Sequence, residues 1–169
     1  MKCGLLGRSL KHSYSKIIHA KLGGYDYDLY EIEPCALKDF VKEKSLSFYN
    51  VTIPYKTDIM PFLDKIDDKA RDIGAVNTVV DKNGYLYGYN TDYYGMTYMI
   101  LSSGVSLKNL SVMILGNGAT SKTARSVCRD LGAKDIIIVS RTGEVNYQNC
   151  YLYCPDIILN TTPVGTYPN

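Results

Sequence analysis

An α/β fold in two parts is predicted from three features of the sequence. Short runs of aromatic and β-branched residues alternate with stretches that are apolar at helical spacing. Asn83-Gly84 stands between two alternating apolar runs, a strong two-residue hairpin signal, so the first sheet contains an antiparallel pair and is mixed. After Ser102-Ser103-Gly104 the pattern changes to strand, glycine turn, helix, strand, which marks a second part with a parallel sheet. The boundary implied is 103, giving 1–103 and 104–169.

In order along the first part, Lys2 to Leu6 reads as a strand closing on Gly7. A polar loop, Arg8 to Ser15, leads into an amphipathic stretch with Ile17, Ile18 and Leu22. Ser13 or Ser15 is placed to N-cap it and Gly23-Gly24 to end it. Two hydroxyls one residue apart after a strand also suit a polyol. Tyr27 to Ile32 reads as the second strand, and Pro34 sits where helices start, ahead of Ala36 to Lys44. Residues 47–51, Ser-Phe-Tyr-Asn-Val, have the composition of a buried strand. Pro54 stops its pairing, because proline has no amide to donate. Lys56 is thereby set at a strand's C-terminal end, where open α/β sheets keep their chemistry. Asp58 to Ile73 reads as helical on both sides of Pro61. The hairpin then brings Asn77, at one end, close to Gly88-Tyr89-Asn90-Thr91-Asp92 at the other. Taken alone, Asp92 is a helix N-cap for Tyr93 to Leu101, as Lys56 taken alone is a solvated loop lysine.

In the second part, Ser111 to Leu115 forms a strand, Gly116-Asn117-Gly118-Ala119-Thr120-Ser121 a turn, and a helix runs to Leu131 with Gly132 closing it. Asp135 to Val139 and Asp156 to Asn160 read as buried parallel strands. This is the front half of a Rossmann-like unit. A glycine pair opening a helix lets the backbone approach a pyrophosphate, although Ser121 stands where a third glycine or alanine is usual. An acidic residue ending the next strand would bind the ribose of NAD; Ser140-Arg141-Thr142 stands there instead. Asp135 lies at the wrong end of its strand. Arg141 offers a planar cation and Thr142 a hydroxyl, which suit a 2′-phosphate, so NADP is the expected cofactor.

Nineteen Lys and Arg against seventeen Asp and Glu leave a formal charge of +2, too slight and too dispersed for a nucleic-acid footprint. No apolar run is long enough to cross a bilayer, and the N-terminus turns to glycine and arginine too soon for a signal peptide. Five cysteines without framework spacing indicate reduced thiols in a cytoplasmic protein, and Cys150 and Cys154 lack the partner pair that a zinc site needs. A lysine and a carboxylate within reach of one another make a proton-transfer pair: the carboxylate holds the ammonium, and the lysine donates to a carbonyl oxygen being reduced. Burial lowers such a lysine's pKa and the carboxylate raises it, and the sequence leaves that balance open.

Four stretches, His12-Ser13-Tyr14-Ser15, Asn50 to Lys56, Gly74-Ala75-Val76-Asn77-Thr78 and Asn90-Thr91-Asp92-Tyr93-Tyr94-Gly95, resemble in order and spacing the signatures of the shikimate dehydrogenase family. The resemblance implies a mixed-sheet substrate domain followed by a partial Rossmann-like NADP-binding domain. It implies that Lys56 and Asp92 are the catalytic pair, and that Ser13, Ser15, Thr52, Lys56, Asn77 and Asp92 hold the carboxylate and hydroxyls of shikimate. The cofactor turn maps onto Gly116, Asn117, Gly118, Ala119 and Thr120. A phosphate clamp maps onto Ser140, Arg141 and Thr142, with serine replacing asparagine. Ser9 replaces a proline in the first loop, which loosens that loop without removing a ligand. The implied reaction is NADPH-dependent reduction of 3-dehydroshikimate to shikimate, by a monomer or homodimer with small-molecule partners, no nucleic acid and no membrane.

Members of the family continue for roughly another hundred residues, close to one further domain. The expectation is therefore a piece of a longer enzyme, stopping at Thr166 to Asn169 with an unpaired apolar edge on its parallel sheet. Two other readings remain open from sequence: an NAD-using quinate/shikimate dehydrogenase, and a non-catalytic remnant of the family that binds ligand or nothing.

Overall fold

Strand β1 (Lys2–Gly7) is buried from Cys3 to Gly7, on both of its faces. It occupies an inner position, pairing in parallel with β2 (Asp26–Glu31) on one side and β3 (Phe48–Val51) on the other. The computed structural model describes residues 1–11 and 13–165; His12 of the first motif and residues 166–169 lie outside the described residues. β3 pairs antiparallel with β5 (Thr78–Lys82), β5 antiparallel with β6 (Tyr85–Tyr89), and β6 parallel with β4 (Lys65–Ile66), giving the mixed order β2-β1-β3-β5-β6-β4. The hairpin turn has the form its residues dictate, with Asn83 at φ 58° and Gly84 at φ 82°.

One face of this sheet carries the larger core, in which Leu6, Tyr49, Val51 and Val79 pack with Leu37 and Val41 of α2 (Leu37–Glu43), Tyr55 of α3 (Tyr55–Asp58) and Ala70 of α4 (Asp68–Ile73). The other face buries Cys3, Leu5, Leu10 and Tyr27. Near them runs α1 (Ser15–Leu22), which differs from expectation: it buries no residue, and Ile17, Ile18 and Leu22 are exposed. Ser15 and His19, four apart and so on one helix face, are its half-buried positions. The residue at the N-cap is Tyr14, not Ser13 or Ser15, and Ser13 Oγ instead accepts the Ser15 N–H at 3.2 Å. The stretch from Asp58 to Ile73 is also less helical than its composition suggests. A 3-10 turn at Met60–Phe62 and the two-residue β4 separate α3 from α4, because Asp64 N–H and Asp67 N–H donate to the carbonyls of Leu86 and Gly88 and pull this segment onto the sheet edge.

The chain divides by packing into two compact units, Met1–Thr91 and the residues from Asp92 onward. The division therefore falls at the start of α5 (Thr91–Ser102), whereas the composition shift falls after it. Ile100, with Tyr93 and Met96, joins the core of the second unit, among Leu107, Val112, Ile114, Ala124 and Val127. That core is built on β7 (Ser111–Leu115), α6 (Ala119–Asp130), β8 (Asp135–Val139) and β9 (Ile157–Asn160), a parallel sheet in the order β8-β7-β9. β7 is buried at its centre, but β8 and β9 are half-exposed rather than buried, each pairing only with β7 among the described residues. Burial pushes the Cys128 thiol of α6 up to about 11 and raises that of Cys3, so both stay protonated near neutral pH.

Tyr49 is 3% exposed, and its hydroxyl finds no hydrogen-bond partner among the described residues. A buried unsatisfied hydroxyl costs about 1–3 kcal/mol. Tyr49→Phe is therefore expected to stabilise the protein by about 1 kcal/mol, read as a higher urea midpoint at unchanged slope. A lower midpoint would contradict it.

Candidate active site

The turn after β3 is held from inside. Tyr55 is fully buried in the larger core, and its hydroxyl donates to the Ile32 carbonyl. Thr52 N–H donates to Leu6 C=O at 2.9 Å and Tyr55 N–H to Thr52 C=O at 3.0 Å, so the chain leaves the sheet and enters α3 within a few residues. Lys56 follows as the second residue of α3 and is half-buried. Its carbonyl accepts from Val76 N–H at 2.7 Å, one residue before Asn77, while Asn77 C=O accepts from Val51 N–H at 2.8 Å. Lys56 and Asn77 are thus brought to the same end of the sheet by main-chain bonds.

Asn77 is 7% exposed and its side chain is engaged with its neighbours. Its Oδ1 accepts Thr91 N–H at 2.8 Å and Thr78 Oγ1 at 3.1 Å, and its Nδ2 donates to Thr91 Oγ1 at 2.9 Å. The hairpin does bring its two ends together, as the register Thr78↔Tyr89 requires. Asp92 comes immediately after, as the second residue of α5 and the first of the second unit, not as the helix N-cap.

Beside the carboxyl ends of β1 and β3 lies an open cleft of about 310 Å³. Ser9, Ser13, Ser15 and Thr52 line it together with Lys11, Leu5 and Leu10. Ser13, Ser15 and Thr52 were the expected ligands; Ser9 and Lys11 were not, and their signal was only their place in the loop after β1. Gly7 shapes this lining, since a Cβ there would lie 2.6 Å from Leu10 Cδ2 and 2.7 Å from Thr52 Cγ2.

In the second unit the glycine turn joins β7 to α6 at the sheet's carboxyl edge. Gly116 has φ 110°, and a Cβ on it would lie 2.8 Å from Thr161 Oγ1 and 3.2 Å from Thr162 Cγ2, so only glycine fits. A Cβ at Gly118, the N-cap of α6, would meet nothing within 4 Å, which leaves open space before the helix amides of Ala119 and Thr120. Ser121 replaces the usual third glycine and is 2% exposed, small enough for the helix to lie close to β7. Ser140, Arg141 and Thr142 form the turn after β8, closed by Ser140 N–H to Val145 C=O at 3.1 Å; Arg141 and Thr142 are exposed. Asp135 pairs with Ser111 at the opposite, amino end of the sheet, as expected. Thr161 and Thr162, which face Gly116 from the end of β9, were missed as neighbours of the turn. Their one signal was that they too follow a strand.

A mixed α/β unit with a cleft lined by hydroxyl-bearing residues, followed by a parallel unit with a glycine turn, is the architecture of a nucleotide-dependent dehydrogenase. The sequence model of the shikimate dehydrogenase substrate binding domain matches residues 5–79. A relative from Clostridium beijerinckii named shikimate dehydrogenase (NADP(+)) is 38% identical over 98% of this chain and 68% of its own length. The crystal structure of shikimate dehydrogenase 1 from Peptoclostridium difficile superposes with a TM-score of 0.92 at 34% identity, covering 99% of this chain and 69% of that one. That of the Thermus thermophilus enzyme in complex with NADP(H) and shikimate gives 0.85 at 26% identity, covering 98% and 69%. The chain belongs to the shikimate dehydrogenase family. No helix among the described residues is long and apolar enough to cross a membrane.

Gly7→Ala is expected to push Leu10 and Thr52 apart and destabilise the protein by about 1–3 kcal/mol, the ordinary cost of overpacking. Thermal denaturation checks it, and an unchanged midpoint would mean that the lining of the cleft yields freely.

Proposed function

We propose that the chain carries the substrate site and the front of the cofactor site of an NADP-dependent oxidoreductase that interconverts 3-dehydroshikimate and shikimate. The observation that carries this reading is the cleft, lined by four hydroxyl-bearing residues and a lysine beside Leu5 and Leu10. Such a lining suits a small anionic polyol: Lys11 offers charge to the carboxylate, and Ser13, Ser15 and Thr52 exchange hydrogen bonds with hydroxyls. Asn77 joins them as a ligand in this reading, supported by its fixed amide.

Lys56 and Asp92 are proposed as the acid–base pair. The Lys56 ammonium donates a proton to the carbonyl oxygen as charge develops there, and the Asp92 carboxylate accepts from a substrate hydroxyl and orients the ammonium. The residues of the second unit fit a dinucleotide, because the side-chain-free backbone at Gly116 and Gly118 leaves room before the amides of α6. Asn117, Ala119 and Thr120 complete that turn. Arg141 is proposed to hold the 2′-phosphate, flanked by Ser140 and Thr142. When bound, NADPH supplies the hydride. A cytoplasmic enzyme acting as monomer or homodimer is part of the same proposal.

Steady NADP-dependent oxidation of shikimate by this polypeptide tests the reading, and no turnover with tight NADP and shikimate binding would leave a binding remnant instead. Lys56→Ala is expected to lower kcat by about 10²–10⁴-fold, the usual worth of a general acid, with KM changed far less. Unchanged turnover would remove Lys56 from the mechanism. Arg141→Ala is expected to raise KM for NADP by about tenfold, equal to about 1.4 kcal/mol, and to leave KM for NAD unchanged. A wild-type protein that prefers NADH would overturn the role given to Arg141.

A further inference from the structure

Side chains on one face of the first sheet form a continuous line of hydrogen bonds that runs from β2 to the residue before Asp92. The Tyr27 hydroxyl donates to Asn50 Oδ1 at 2.7 Å, and Asn50 Nδ2 donates to Thr78 Oγ1 at 3.1 Å. Thr78 Oγ1 donates to Asn77 Oδ1 at 3.1 Å, and Asn77 is joined to Thr91 by the two bonds described above. The register makes this possible. Tyr27 and Phe48 flank Cys3, Asn50 lies two residues beyond Phe48 on the same face, and Asn50 pairs with Thr78 across the antiparallel junction.

With the Tyr27 phenol donating its one proton, Asn50 turns its oxygen to Tyr27 and its amino group to Thr78. The Thr78 hydroxyl takes that N–H and faces two acceptors for its own proton, Asn77 Oδ1 at 3.1 Å and Thr91 Oγ1 at 3.2 Å, both part of the Asn77 cluster. At the far end a main-chain N–H, that of Thr91, holds Asn77 Oδ1 in place. Tyr27 is well suited to anchor the near end: it is 5% exposed, and its ring stacks on His19 with centroids 3.7 Å apart and an interplanar angle of 6°. Burial pushes its phenol above the ordinary value against the opposing pull of the Ser15 hydroxyl, which keeps the proton in place at neutral pH. Ser15 lines the cleft, so one end of the line adjoins the cleft and the other reaches Asn77.

We propose that Tyr27 is a positioning residue whose hydroxyl fixes the amide of Asn50 and, through Thr78, the hydrogen bonding of Asn77, and thereby sets the grip of the first unit on its substrate. The inference rests on the proposed function, in which Asn77 holds substrate. Without the phenol proton nothing holds the Asn50 amide in this orientation, and turned over it presents its oxygen to Thr78 and draws the Thr78 proton away from Asn77.

Tyr27→Phe tests this, since it removes the hydroxyl and keeps the stacked ring. In ¹⁵N spectra of the ligand-free protein the side-chain amide signals of Asn50 and Asn77 are expected to move, while backbone signals of α2 and α6 stay. In kinetics KM for shikimate is expected to rise about five- to tenfold with kcat and KM for NADP within about twofold. Thr78→Val is expected to reproduce the effect, Thr78→Ser to restore wild-type values, and the double variant Tyr27→Phe/Thr78→Val to be no worse than either single one. Unmoved Asn77 signals, additive single effects, or moved signals with an unchanged KM for shikimate would each overturn the proposal. Should the wild-type protein fail to bind shikimate while the Asn signals still respond to Tyr27→Phe, the proposed function fails and the hydrogen-bonded line stands.

Discussion

The bond from Val76 N–H to the Lys56 carbonyl, at 2.7 Å, is the constraint on which the geometry of the first unit turns. β3 and β5 pair antiparallel only as far as Asn50↔Thr78, and beyond that point β3 leaves the sheet through Pro54. Lys56 would otherwise sit on a loose turn. Instead α4 ends on Gly74 at φ 71°, a left-handed conformation that reverses the chain and delivers Val76 to Lys56. Val76 is fully buried and cannot swing away. A pair of main-chain bonds, this one and Val51 N–H to Asn77 C=O, therefore relates Lys56 to Asn77 without recourse to flexible side chains. Groups that must meet a reacting atom gain most from such fixed placement.

The polar side chains at this end of the sheet follow from the same constraint. Where the pairing of β3 with β5 ends, Asn77 Oδ1 takes up the Thr91 N–H, while the side chains of Asn50 and Thr78 bond to Tyr27, to one another and to Asn77. Asn90, just past the end of β6, takes up another main-chain group: it is 1% exposed and donates from Nδ2 to Ala75 C=O at 3.0 Å. Amides and hydroxyls buried here are matched to one another before any ligand arrives. On the proposed reading, in which Asn77 holds substrate, a ligand meets a group already oriented, with little reorganisation left to perform.

Much of this was legible in the sequence wherever the signal was local. Asn83-Gly84 fixed the hairpin, and the hairpin fixed the proximity of Asn77 and Thr91. Gly116 was legible as a close approach of backbone, because glycine at that turn has few other uses. What was not legible depends on distant partners. β4 spans only two residues and exists because Asp64 and Asp67 donate to the carbonyls of β6. α1 was read by its isoleucines, yet the side it turns inward is Ser15 and His19, and His19 stacks on the ring of Tyr27. Tyr27 itself looked like an ordinary strand residue, and nothing in its neighbours by sequence shows that Asn50 is within reach.

The second unit carries the same lesson to the level of strand order. In the usual dinucleotide-binding order the third strand lies beside the second, whereas here β9 lies beside β7, on the side away from β8. The strand order therefore reverses across β7, and a crevice at the carboxyl ends of such a sheet opens where the order reverses. Gly116 stands at that edge with Thr161 and Thr162 pressed against it from β9, while Arg141 follows β8 on the other side. On the proposed reading the topology also separates two tasks. Close approach to a phosphate falls to the β7–β9 side, where a side chain at Gly116 would collide. Recognition of a 2′-phosphate falls to the β8 side, where Arg141 and Thr142 are exposed.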